Sequence, residues 1–148
     1  MHYLPRMKHA AFLVALPTQA LAWSFDPAPV CTLAHDFDAG SAVVTYDPVT
    51  EDYAITLTLT DAAWPEAPSF GIAFAGPRGL QIGTNRHVLS DDGQSLTVTD
   101  RGFGNVLDGL EYNNVARAVS GERILDVPLD GAAEPVRAFR ACTASAFS

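Results

Sequence analysis

Two cysteines, Cys31 and Cys142, stand 111 positions apart in a chain of 148 residues, and no third is present. In an exported chain a lone pair of this kind reads as a disulfide. The bond would tie the first strand to the last helix, and nearly everything between would have to fold within the closed loop. In the chain-entropy picture a loop of about 100 residues contributes roughly 4.7 kcal/mol, a large part of a total stability of roughly 5–15 kcal/mol.

The case for export rests on residues 1–22. Arg6 and Lys8 form a basic start, Ala10 to Leu16 an apolar run, and Ala20-Leu-Ala22 an A-x-A cleavage signal. The run falls well short of the roughly 20 apolar residues that span a bilayer. Cleavage after Ala22 would leave residues 23–148 as one β-rich domain, periplasmic or secreted, with no membrane insertion. Losing Arg6 and Lys8 leaves seven basic residues, all arginine, against 17 acidic, a net charge of −10. Nucleic-acid binding needs a clustered basic surface that releases counterions, and so acidic a chain offers the reverse.

The segment Leu129 to Cys142 reads as a short final helix. Asp130 is placed to cap it, Glu134 favours its positive end, and Pro135 is tolerable in the first turn. Ala132, Val136, Phe139 and Cys142 share one stripe, with Arg137 and Arg140 off it near the C-terminal end. Thr143 to Ser148 reads as a loose tail.

Between the cysteines the chain is dominated by alternation. Trp23 to Pro29 reads as an extended leader that Pro27 and Pro29 keep irregular. Strands follow at Val30–Phe37, Ala42–Tyr46, Tyr53–Leu59, Phe70–Ala75, Leu80–Thr84, His87–Ser90, Ser95–Thr99, Tyr112–Val119 and Arg123–Leu129. Tyr53, Ile55, Leu57 and Leu59 alternate with a threonine face expected to meet solvent. On Phe70–Ala75 the small residues Gly71, Ala73 and Ala75 suggest close approach by another layer. Asp91-Asp-Gly-Gln94 is a hairpin signature with Gly93 at positive φ. Phe103, Val106, Leu107 and Leu110 keep helical spacing and predict a helix of about two turns. The expected fold is mainly β: an antiparallel β-sandwich or curved sheet with two short helices, the last tied by the disulfide to the first strand.

The run Thr97 to Glu111, the Leu129-Asp-Gly-Ala-Ala133 step and Ala138-Phe-Arg-Ala-Cys142 resemble a family of short exported bacterial proteins. So do the Trp23 start, the Pro29-Val-Cys-Thr-Leu33 strand and the Thr-x-x-His-x-Leu-Ser pattern of Thr84 to Ser90. Members often carry the inherited label of an excinuclease ABC component. That label does not fit this chain, which has no G-x-x-x-x-G-K-[ST] phosphate loop and no basic DNA surface. The last third is also similar to the invasion-associated locus B family, in its helix, hairpin and final helix. Neither resemblance implies an activity.

The best candidate for an anion or ligand site is Asp100-Arg-Gly-Phe-Gly-Asn105, between a strand and a helix. Gly102 and Gly104 can turn successive N–H groups toward an anion, Arg101 supplies charge, and Arg86 and His87 approach through the hairpin. The competing reading is structural: a tight connection whose glycines adopt unusual φ and whose Asn105 or Asp100 caps the helix. His35, Asp36 and Asp38 do not make a metal site, because neighbours on a strand face opposite ways. No nucleophile elbow is present, and cysteines held in a disulfide offer no thiolate. No cofactor is implied. The chain therefore reads as a non-catalytic binding or envelope-interaction domain, its partner a periplasmic protein or a small anionic ligand. The alternative is a small hydrolase or anion-binding enzyme centred on His87 and Arg101. Convergence of His87, Arg101 and Asn105 on one cleft would separate the two.

Overall fold

The alternating stretches become strands because one set of side chains can be buried while the other stays outside. The computed structural model describes residues 22–145, so the expected signal segment, apart from Ala22, lies outside the described residues. Ten strands form in chain order: β1 (Ser24–Asp26), β2 (Cys31–Phe37), β3 (Gly40–Asp47), β4 (Asp52–Leu59), β5 (Phe70–Ala75), β6 (Leu80–Thr84), β7 (Val88–Leu89), β8 (Ser95–Asp100), β9 (Val115–Ser120) and β10 (Arg123–Pro128). Two helices, α1 (Gly104–Tyr112) and α2 (Ala133–Ser145), complete the elements among the described residues.

The strands make two antiparallel sheets. Sheet 1 has the order β1-β2-β3-β4-β8-β7 and sheet 2 the order β10-β9-β5-β6. Register places Val44 beside Ile55 and Ile55 beside Val98 in sheet 1, and Ile72 between Ile82 and Ala118 in sheet 2. The inward faces meet in one core in which Leu33, Val44, Leu57, Leu96, Leu125 and Val127 are buried. Each fully buried aliphatic side chain of this size stabilises the fold by about 1.5–3 kcal/mol. The loop crossing from β4 to β5 is pinned by Trp64. Its buried indole donates to the Leu57 carbonyl at 3.0 Å and meets the Phe70 ring edge-on.

The disulfide joins Cys31, at the start of β2, to Cys142 in α2, with Cα atoms 6.0 Å apart. Ala132, just before α2, and Val136 and Phe139 on it are fully buried, as the stripe requires. Pro135 falls in the first turn, where its missing N–H removes no helical bond. Gly93 takes φ +74° in the β7–β8 hairpin.

Several local expectations are corrected. The leader is not irregular throughout: Ser24–Asp26 precedes both prolines, so its N–H groups are free to pair with Thr32–Ala34. Trp23 is buried and donates to the Pro128 carbonyl at 2.9 Å. Asp130 does not cap α2, because Asp130 and Gly131 (φ +77°) form a turn that delays the helix to Ala133. Thr143 to Ser145 continue that helix, and the rest of the expected tail lies outside the described residues. Arg137 and Arg140 serve α1 instead of the helix end: both reach Glu111, and Arg140 also reaches Asp108. On β5, Ala73 is half-buried and Ala75 exposed, so no further layer covers the small-residue face. The threonine face of β4 is half-buried, with hydroxyl pairs Thr56–Thr97 at 2.9 Å and Thr58–Ser95 at 2.7 Å. Tyr112 belongs to α1, and β9 starts at Val115.

Candidate functional site: a cleft at the open edge of the sandwich

Sheet 1 ends on β7, which is only two residues long and pairs with Leu96 and Thr97 alone. Residues Val98 to Asp100 of β8 therefore extend beyond the last strand. Opposite them lies β6, the last strand of sheet 2. The two sheets are not bridged along this side, and the N-terminal end of α1 closes only part of the gap. The result is a cleft of about 190 Å³.

Its interior is apolar, lined by Ile55, Phe70, Ile72, Ile82, Val98 and Phe103. Four of these are buried core residues, whereas Ile82 and Val98 are half-buried and face the opening. Phe103 is held by stacking on Tyr53 at 5.4 Å, and Tyr53 leans on Phe139 of α2 at 6.2 Å. An aromatic chain thus connects the cleft wall to the helix that carries the disulfide.

Polar residues occupy the mouth: Thr84, Arg86, Asp100 and Asn105. The Thr84 hydroxyl accepts the Arg86 N–H at 3.0 Å, fixing the turn that presents the guanidinium. Arg86 donates to Asp100 Oδ2 at 3.3 Å, while Asp100 Oδ1 accepts the Arg101 N–H at 2.7 Å. The Arg86–Asp100 pair is exposed, at 68% and 47% of the side chains, so solvent screens it and it opens easily.

The structure divides the residues singled out in the sequence. Arg86, Gly102 and Asn105 line the cleft, together with Asp100. His87 and Arg101 do not. His87 Nε2 lies 3.1 Å from the Ala67 carbonyl, and its ring packs against Phe70. The Arg101 guanidinium turns to Glu51 at 3.7 Å and Asp52 at 3.9 Å. The expected convergence of His87, Arg101 and Asn105 is absent. Gly104 opens α1, and neither Gly102 nor Gly104 is among the described residues with positive φ. A Cβ at either would meet nothing within 4 Å. No side chain caps α1, so capping by Asn105 or Asp100 is also corrected. The apolar half of the cleft was missed in the sequence. Ile82 and Val98 were visible only as inward positions of strands, and nothing local marks them as uncovered.

At the other end of the molecule His35 is buried between the rings of Trp23 (5.1 Å) and Phe37 (5.4 Å). Burial lowers its pKa, against smaller upward pulls from the Ala22 backbone, Asp36 and Asp130. A shallow acidic groove containing Asp36, Asp38, Asp126 and Asp130 passes beside it. Among the described residues, no group of three or more His, Cys, Asp or Glu is placed to hold a metal ion. No described helix is long and apolar enough to cross a membrane.

The fold and cleft define a two-sheet β-sandwich with a small ligand-sized opening at one edge. Compared with known proteins, the chain matches no family model, no curated protein and no solved structure.

Proposed function

We propose that the domain is an exported, non-catalytic binding protein of the bacterial periplasm or exterior, and that the edge cleft is its ligand site. The carrying observation is the combination in one cleft of about 190 Å³: six apolar side chains together with four polar residues. Small-molecule sites are typically concave and largely apolar, with a few polar groups fixing orientation. The disulfide supports an oxidising compartment, as does the resemblance to short exported proteins. The alternative enzyme centred on His87 and Arg101 gains no support, because those side chains have separate surroundings and His87 is engaged with a carbonyl.

Compact apolar probes test this. Toluene and 3-phenylpropionate are titrated against protein labelled in the isoleucine and valine methyls. Shifts at Ile55, Ile72, Ile82 and Val98, lost in Val98→Phe, are expected. Unmoved methyls with every compact probe, free amino acids included, would remove the reading.

A further inference from the structure

Resting on that reading, we infer that the cleft takes a free apolar α-amino acid. The side chain enters the apolar interior, the carboxylate meets Arg86 and Asn105, and the ammonium meets Asp100. Three observations lead there.

The first is size. A cavity of about 150 Å³ lined by aliphatic and aromatic side chains accommodates benzene. The cleft, at about 190 Å³, therefore has room for one phenyl ring or one branched aliphatic group and too little to enclose a long acyl chain.

The second is the charge pattern of the mouth. A lone carboxylate drawn to Arg86 would also meet the repulsion of Asp100, 3.3 Å away. A lone amine drawn to Asp100 would meet Arg86 in the same way. A zwitterion whose two charges sit on one carbon satisfies both at once. The first turn of α1 carries no acidic residue, so nothing there opposes a carboxylate near Asn105.

The third is spare capacity. Arg86 uses one guanidinium nitrogen toward Asp100 and has further donors on the fork. Asp100 accepts one hydrogen bond on each oxygen, and each oxygen has a second lone pair. The exposed ion pair is cheap to open, while the Arg86 N–H donated to the Thr84 hydroxyl and the Arg101 N–H donated to Asp100 Oδ1 keep both residues at the mouth.

The test compares three probes with the same apolar body. L-leucine, N-acetyl-leucine and leucinamide are titrated against the labelled domain, with Arg86→Gln and Asp100→Asn alongside. L-leucine should bind at least about tenfold tighter than either blocked form, a factor equal to about 1.4 kcal/mol. Arg86→Gln should abolish the advantage over leucinamide, and Asp100→Asn the advantage over N-acetyl-leucine. Both substitutions alter exposed side chains, so the variants should fold, which unchanged core methyl spectra would verify. Equal binding of all three probes would overturn the zwitterion inference and leave the apolar cleft standing. So would L-leucine binding that neither variant weakens. Failure of L-leucine while toluene or 3-phenylpropionate still binds would overturn the inference alone, and failure of every probe would overturn both readings.

Discussion

Arg140 of the last helix holds Glu111 of the first at 3.0 Å, and the Glu111 side chain is only 4% exposed. The same guanidinium reaches Asp108 at 2.6 Å, so one side chain clamps two positions a turn apart on α1. Arg137 contacts Glu111 at the longer distance of 3.4 Å and is more exposed. Removing Arg140 leaves a buried carboxylate with one weak partner. Arg140→Ala should therefore cost about 2–3 kcal/mol, and Arg137→Ala less than about 1 kcal/mol. Urea unfolding midpoints at unchanged slope measure both, and equal losses would contradict the clamp.

The disulfide predicts a second loss. Cys31→Ser and Cys142→Ser should each lower stability by about 2–5 kcal/mol, and the double variant should differ little from either single one, since the same bond is lost. Unreduced, denatured protein should take up no thiol reagent; labelling of both cysteines would refute the bond.

Two glycines of one segment should respond oppositely. At Gly104, on the first residue of α1, an added methyl meets nothing, so Gly104→Ala should be neutral or stabilising by up to about 1 kcal/mol. At Gly109 a Cβ would come within 2.6 Å of three ring carbons of the buried Phe74, so the helix or that ring would have to shift. Gly109→Ala should destabilise by about 1–3 kcal/mol. Thermal unfolding of the two variants settles the contrast.

His35 gives a pH dependence with a definite sign. Burial is the largest influence and lowers its pKa from the ordinary 6.5. The unfolded chain therefore takes up this proton at higher pH than the folded protein. The contribution is fully present above about pH 6.5 and is lost as pH falls from there to the lowered folded value. His35→Phe should flatten this part of the profile. The check is the difference between wild type and variant in unfolding free energy at about pH 7.5 and about pH 5, on either side of the ordinary histidine range. Parallel profiles would show that His35 does not contribute.

Much of the fold was legible because its signals are local. Tyr53 to Leu59 alternates cleanly, Asp92-Gly93 fits only a few turns, and two cysteines leave one pairing. The failures are instructive. Ser24–Asp26 was obscured by Pro27 and Pro29, yet proline restricts chiefly itself and the residue before it. Asp130 has the chemistry of a cap, but Gly131 turns the chain before the helix starts. At the site, Arg86 and Asp100 were recognised together with His87 and Arg101 because they adjoin in sequence. Arg86 follows a turn closed on Thr84 and Asp100 is the last residue of β8, so at both places the chain changes direction and one residue of each pair reaches the cleft while the other turns away. The apolar interior depends on which strand edges remain unbridged, a long-range outcome that no local pattern encodes.

The bond between β2 and α2 also decides what a single backbone cut can do. Val49, in the turn between β3 and β4, is 89% exposed and lies between the two cysteines in sequence. A protease that cleaves there opens a ring without releasing a fragment. The nicked molecule should migrate as one species until reduced and then separate into two pieces. With β3 and β4 still paired across the cut, the unreduced form should keep its cleft.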